Sequence, residues 1–238
     1  MILWIAATLA AFFVKGLCGF ANTLVFTSIM SFGANNVNIS PVELLLGFPA
    51  NVILLVRERK SIQWRLCLPL AGLLILGCVP GALFLKNADA KLIKIFCGAV
   101  IIFVGIEMLF RELSNRKSKP SKPMLLIVGV LSGLLCGLYG IGALMSAVVS
   151  RATDDSHAFK ANICAIFFCD NVFRIVLYTL WGIITPAALK QWAVLMPFVL
   201  AGLGLGILAS RVLDERKSKL AVVAALIVSG AALILNSL

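Results

Sequence analysis

The sequence is short of charge. Only thirteen per cent of its 238 residues are Asp, Glu, Lys or Arg, about half the share usual in soluble domains. It has one histidine, His157, which disfavours a His-rich metal site. With Asp154 and Asp155 beside it, His157 reads as a loop residue rather than a catalytic base. No Walker loop, HExxH, GxSxG or kinase signature occurs in the chain, which excludes an ATP-driven pump made by this chain alone. Nothing calls for a cofactor or a metal. The seven cysteines are Cys18, Cys67, Cys78, Cys97, Cys136, Cys164 and Cys169. None forms a CxxC pair and all have apolar neighbours, so they read as small buried hydrophobes and not as a disulfide framework. The opening Met1-Ile2-Leu3-Trp4 lacks the basic start of a cleavable signal peptide and is read as the first membrane segment.

What the chain has in excess is apolar sequence. Sixty-one per cent of it is hydrophobic, and the mean hydropathy is +1.07. That is more apolar surface than one soluble core can hide, and the bilayer is the solvent that fits. Backbone groups in lipid must be bonded internally, so spans are helices or closed barrels. The apolar runs here are continuous and do not alternate, which excludes the barrel. The fold class expected is therefore an all-α integral membrane protein, a polytopic helical bundle. The net charge of +11 comes from basic residues in short loops, where the positive-inside rule places them on the cytoplasmic face. No nucleic-acid partner is implied.

Apolar segments run over about 2–14, 23–34, 41–56, 66–85, 92–110, 124–149, 158–181, 187–210 and 219–237, against the roughly 20 residues that cross a bilayer. The first two are too short singly. Between them lies Lys15-Gly16-Leu17-Cys18-Gly19-Phe20-Ala21-Asn22, so 2–34 reads as one broken or re-entrant unit. Segment 124–149 has the same build, with Gly137, Gly140 and Gly142 near its middle. Placing Gly16 and Gly19 on Gly137 and Gly140 brings further landmarks into register. Asn51-Val52 falls near Asn171-Val172, Trp64 and Pro69 meet Trp192 and Pro197, and Gly77 and Gly81 meet Gly202 and Gly206. Asp89 and Lys91 meet Asp214 and Arg216. Such ordered self-similarity points to duplication. The expected organisation is a first membrane repeat over 1–115, a basic cytoplasmic linker over 116–123 and a second repeat over 124–238. Putting the basic loops at 57–65, 111–122 and 211–219 on one side favours inverted repeats slightly over parallel ones. Inverted repeats with broken helices are a common transporter plan, with the site at the midplane.

Candidate site residues follow from the breaks. A helix that restarts in lipid presents free N–H donors and partial positive charge, which suits an anion. Gly16, Gly19, Gly137, Gly140 and Gly142 serve either close approach to such a ligand or tight helix packing. Lys15 is a charge in an apolar stretch, a functional candidate by default, or else a snorkelling side chain. Asn22 can donate to an oxyanion or cap the second part-helix. Asp170, Asn171 and Arg174 form a second cluster. Arg174 shares a helix face with Asp170 four residues earlier, as a structural ion pair or as a path-lining cation with Asp170 as the coupling carboxylate. Asn51 is the counterpart of Asn171. Glu43 and Glu107 are expected near the ends of their spans. Cys18 and Cys136 sit at similar places in the two breaks, within reach of a sulfur-containing substrate.

The run from Lys15 to Asn22, its partner Gly133-Leu134-Leu135-Cys136-Gly137-Leu138-Tyr139-Gly140-Ile141-Gly142, and Gly77-Cys78-Val79-Pro80-Gly81 resemble the TauE/SafE family of sulfite-exporter-like permeases. The whole chain resembles that family in length, hydropathy and two-fold repetition. It departs from the pattern after Phe20, where Ala21-Asn22-Thr23-Leu24 replaces a glycine-richer run and no proline comes before Pro41. The resemblance implies a secondary transporter, in the exporting direction, of sulfite, a sulfonate or another sulfur oxyanion or organic acid. It implies the bacterial cytoplasmic membrane and an ion gradient, such as protons, as the driving force. An oligomer is compatible with such a chain. The rival readings are a membrane-embedded scaffold without a transport path, and an intramembrane enzyme, for which no acid–base or metal constellation is present in the spans.

Overall fold

In the computed structural model the described residues are 1–31, 39–87, 122–140, 142–153 and 155–212, with isolated helical positions between 99 and 106 and at 227 and 231. Glu107, Asp89, Lys91, Asp154, Asp214, Arg216 and most of the basic linker lie outside them. Among the described residues the regular structure is helical throughout. The chain is a polytopic helical membrane protein.

The first broken unit is α1 (Ile2–Cys18) followed by α2 (Asn22–Ser31). Then come α3 (Ile39–Arg57), a 3-10 turn at Arg59–Ser61 and α4 (Trp64–Asn87). The second broken unit is α5 (Lys122–Tyr139) and α6 (Ala143–Ala152), followed by α7 (Ser156–Leu180) and α8 (Pro186–Ala209). Four helices are long and apolar enough to cross a membrane: α3, the Trp64–Leu83 part of α4, α7 and α8. By contrast, α2 and α6 have ten residues each, roughly 15 Å of helix, and stop short of crossing.

Both breaks close in the same way. Gly19 has φ 85° and its N–H donates to the Lys15 carbonyl. Gly140 has φ 73° and its N–H donates to the Cys136 carbonyl. A left-handed residue at this position ends a helix while satisfying its last carbonyls, and glycine adopts that geometry without a Cβ clash. Ala21 also has positive φ, 72°, the one non-glycine residue among the described residues to do so. The sequence reading put Gly137, Gly140 and Gly142 near the middle of the second broken segment; the helix runs through Gly137 to Tyr139, and the chain breaks at Gly140.

Helix packing is crossed between the two halves. The opening helix α1 runs along the closing helix α8, and α5 runs along α4. Small residues make both contacts. A Cβ on Gly77 or Gly81 of α4 would drive into the carbonyl oxygens of Val130 and Leu134, and one on Gly137 into that of Cys78. Likewise Gly16 lies against the backbone of Leu203, Gly206 and Ile207, and Gly206 against Phe13. This is the close approach that small residues permit in membranes, where packing rather than hydrophobicity holds helices together. Gly16 and Gly137 are thus packing residues, and Gly19 abuts the Lys160 side chain.

One polar clasp joins the α3–α4 turn to α7. The Asn162 side chain accepts from the Gln63 N–H at 2.7 Å and donates to the Ala158 carbonyl at 2.7 Å. Nearby, Asp155 caps α7 by accepting from the Ala158 N–H at 2.7 Å, and exposed His157 meets Glu58 at 2.8 Å. His157 therefore lies in the first turn of a helix, at the surface. Asn162→Leu is expected to orphan the Gln63 N–H and destabilise the fold by about 1–3 kcal/mol, read as a lower thermal midpoint in detergent.

Candidate functional site

Two charged residues on α1 and α7 are almost wholly withdrawn from solvent and lipid. Lys15 is 1 % exposed and Arg174 2 %, so neither snorkels. They line one cavity with the first break (Phe20, Ala21, Asn22, Thr23 and Leu24), the second break (Gly140 and Gly142), Glu43, Gly47 and Asn51 from α3, Cys136, and Phe167, Asp170 and Asn171 from α7. The cavity holds about 30 Å³, against the roughly 10–15 Å³ that one water requires.

The two breaks bring helix starts to this cavity. Its lining includes the first three residues of α2 and the residue preceding α6. The leading N–H groups of a helix have no intrahelical acceptor and carry partial positive charge. The rest of the wall is a hydrogen-bonded network. Lys15 Nζ donates to Asn22 Oδ1 at 2.9 Å, and Asn22 Nδ2 donates to Glu43 Oε1 at 2.5 Å. Thr23 Oγ1 donates to the same Glu43 oxygen at 2.7 Å. The Asn22 side chain thus joins the Lys15 amine to the Glu43 carboxyl group.

On the other wall Arg174 Nη1 lies 3.9 Å from Asp170 Oδ2. Its Nη2 donates to Tyr178 Oη at 3.1 Å and to Ser40 Oγ at 3.4 Å, and the guanidinium stands 5.1 Å from the Tyr178 ring centre. Tyr178 in turn donates to the Gly137 carbonyl at 3.0 Å. Three polar atoms facing this region are buried without a partner: Arg174 Nε, Asp170 Oδ1 and Asn51 Oδ1. Unpaired buried polar atoms are rare in native folds and mark places where a ligand or water supplies the missing bond.

The walls meet at Gly140. A Cβ there would stand 3.0 Å from Arg174 Nη1 and 3.1 Å from Glu43 Oε2, so both groups crowd one point across the second break. At Gly47 a Cβ would meet Asn22 Nδ2 at 3.5 Å and Asn171 Nδ2 at 3.6 Å, which brings the two amides together on one face of α3. Gly142 leaves room for the Phe167 ring, which a Cβ would strike.

Of the residues singled out from sequence, Lys15, Asn22, Asn51, Gly140, Gly142, Asp170, Asn171 and Arg174 lie around this cavity, while Gly16, Gly19 and Gly137 lie outside its lining. Glu43 differs from expectation. It is 3 % exposed and sits at the centre of the network, because the short α2 begins level with the second turn of α3 and delivers Asn22 and Thr23 to it. Glu43, Gly47 and Asn51 follow at i, i+4 and i+8, a polar stripe on one helix face, and that spacing was the available signal. Tyr178, four residues beyond Arg174, was equally visible. Among the cysteines Cys136 borders the cavity and Cys18 does not. Among the described residues no cluster of potential ligands is arranged to hold a metal ion.

Neither a curated protein nor a solved structure matches this chain. The family profile described as Sulfite exporter TauE/SafE matches residues 3–233, nearly the whole sequence. The chain belongs to the sulfite exporter TauE/SafE family of membrane transporters.

Proposed function

We propose that the chain is a secondary transporter that exports a small anion, such as sulfite, a sulfonate or another sulfur oxyanion or organic acid, across the bacterial cytoplasmic membrane. The anion binds between the two helix breaks. The observation that carries this reading is the buried cavity lined by both Lys15 and Arg174, with an Arg174 Nε donor that has no partner. A buried donor left without a partner is costly and marks a place where a ligand supplies the missing bond. Asn22, Asn51, Asn171 and the helix starts at Asn22 and Ala143 supply neutral donors around the same point. Gly140 keeps that point open, Gly142 makes room for the Phe167 ring beside it, and Gly16, Gly19 and Gly137 hold the framework around it.

Repeats over 1–115 and 124–238, joined by the linker at 116–123 and inverted relative to one another, fit this reading. In favour of them is the common order of broken helix, long helix, short connection and long helix, together with the crossed packing of α1 on α8 and α5 on α4. Rocking of one unit against the other would expose the cavity to each side in turn.

The test is flux in proteoliposomes of purified protein with labelled sulfite, thiosulfate, methanesulfonate and a carboxylate. Saturable movement of one of these anions is expected, with Lys15→Met reducing it by about 100-fold or more for the loss of a charge-assisted contact of roughly 3 kcal/mol. A folded protein that moves none of them would instead fit a scaffold.

A further inference from the structure

We infer that the tip of the first break, Gly19-Phe20-Ala21, is the gate that closes the cavity toward the cytoplasm, with Phe20 as the closing side chain and Phe159 of α7 as its seat. The inference extends the transport reading above, which needs a barrier on each side of the site. The barrier itself does not depend on which solute passes.

Packing assigns the side. The turn between α3 and α4 follows Arg57 and carries Arg59, Lys60 and Arg65, and such a basic turn belongs on the cytoplasmic face. The start of α7 is tied to it by Asn162 on Gln63 and by His157 on Glu58. Phe159 therefore stands at the cytoplasmic end of α7. Arg174 lies about four turns farther along that helix, roughly 22 Å deeper. Phe20 lines the cavity that holds Arg174 and meets the Phe159 ring edge-on, with centroids 5.7 Å apart and planes at 85°. Both rings are buried, and Phe159 lies behind Phe20, outside the lining. The pair thus separates the cavity from the cytoplasmic end of α7. The second break lies at the opposite end. Helix α5 runs in the same direction as α4, Gly133 against Leu74 and Gly137 against Cys78, and so carries Gly140 away from the cytoplasm.

The backbone makes the seat reversible. Phe20 stands between two left-handed residues, Gly19 at φ 85° and Ala21 at φ 72°. Glycine takes that region freely, whereas alanine takes it against its own Cβ. Such a residue persists only where its surroundings hold it. Here they are the ring pair, the Lys160 stem packed against Gly19, and a 3.5 Å hydrogen bond from the Cys164 thiol to the Gly19 carbonyl. A thiol is a weak donor, and an edge-on ring pair is a modest contact. Rotation at Ala21 toward extended backbone relieves the strain and lifts Phe20 off Phe159, which opens the cavity to the cytoplasm.

The test reads the Cys136 thiol, which borders the cavity. The full chain in inside-out or right-side-out membrane vesicles is treated with a membrane-impermeant methanethiosulfonate. Labelling of the peptide that holds Cys136 is timed by mass spectrometry, which separates it from the other cysteines. Phe20→Ala and Phe159→Ala are expected to raise the rate from the cytoplasmic face about ten-fold or more, for the loss of a buried aromatic contact. The rate from the outer face should not change. Phe48→Ala is the control: it breaks the stacked Phe48–Phe168 pair, whose rings lie on the same helices α3 and α7 but outside the lining, and should label like wild type. Ala21→Gly relaxes the closed state, so cytoplasmic labelling should slow by about five-fold. A rise at the outer face, no rise at the cytoplasmic face, or an equal rise in Phe48→Ala overturns the inference. So does labelling in Ala21→Gly that is no slower than wild type, and this variant decides alone should both phenylalanine variants fail to fold. The expected labelling in a protein that carries none of the tested anions leaves the gate standing and overturns the transport reading. Saturable flux without that labelling pattern does the reverse.

Discussion

Arg174→Gln should be the most damaging single change in the cavity, with folded protein reduced and anion flux in the survivors below about one per cent of wild type. Two losses combine. Arg174 and Asp170 are each almost fully buried, 2 % and 1 % exposed, and removing one member of a buried pair leaves an uncompensated charge that costs about 3–5 kcal/mol. The guanidinium also ties α7 to Ser40 of α3 and, through Tyr178, to the Gly137 carbonyl of α5. Its loss therefore loosens three helices at once. Asp170→Asn combined with Arg174→Gln separates the two effects. With both charges gone the burial penalty disappears, and the thermal midpoint should return most of the way to wild type. Flux should not return, because the cation that meets the anion is still missing. Flux restored in the double variant would show that Arg174 serves the fold and not the substrate.

The second large effect is expected from Gly137→Val, with Gly72→Ala as its control. Gly137 touches α4 so closely that a Cβ would enter the space of the Cys78 carbonyl. The obstacle is backbone, which cannot rotate aside. Helices α4 and α5 would have to separate along their length, beyond the 1–3 kcal/mol or so of ordinary overpacking. Separation also carries off the carbonyl that holds the Tyr178 hydroxyl at 3.0 Å, so the Arg174 side chain loses its support. Both the melting temperature in detergent and the residual flux should fall. Gly72 has nothing within 4 Å of a Cβ, and Gly72→Ala should leave both unchanged or raise the midpoint slightly, since alanine favours helix. Equal behaviour of the two variants would remove close packing as the reason for glycine at position 137.

How much of this could be read from sequence depended on what kind of signal each feature leaves. Long apolar runs mark helices because lipid permits little else, and the helices α3, α4, α7 and α8 follow the predicted segments closely. The breaks were visible because a lysine, an asparagine and two glycines interrupt an apolar stretch. Buried charge was visible too: Lys15, Asp170 and Arg174 stand out where few charges occur. Glycines were not separable in this way. Gly16 and Gly137 face a neighbouring helix while Gly140 and Gly142 face the cavity, yet each is there because a Cβ will not fit, and sequence records only the missing side chain. Glu43 escaped for another reason. Its position near the start of an apolar segment suggested an interface, whereas depth along a helix depends on where the neighbouring half-helix begins. That is a tertiary fact, set by the break at 19–21.

The crossed packing of α1 on α8 and of α5 on α4 also has a consequence for synthesis. A ribosome that has just completed α1 must make some 170 further residues before α8 exists, roughly 10–30 s at ordinary elongation rates. Through that interval the face of α1 that carries Gly16 has no native neighbour. Lys15, on the same helix, meets Glu43 through Asn22 as soon as α3 emerges, yet must wait for α7 before the cavity is enclosed. The nascent chain therefore spends most of its birth as a half-built bundle with a charged seam, and a helper in the membrane that shields small-residue faces would act on this chain early, at α1, rather than at its end.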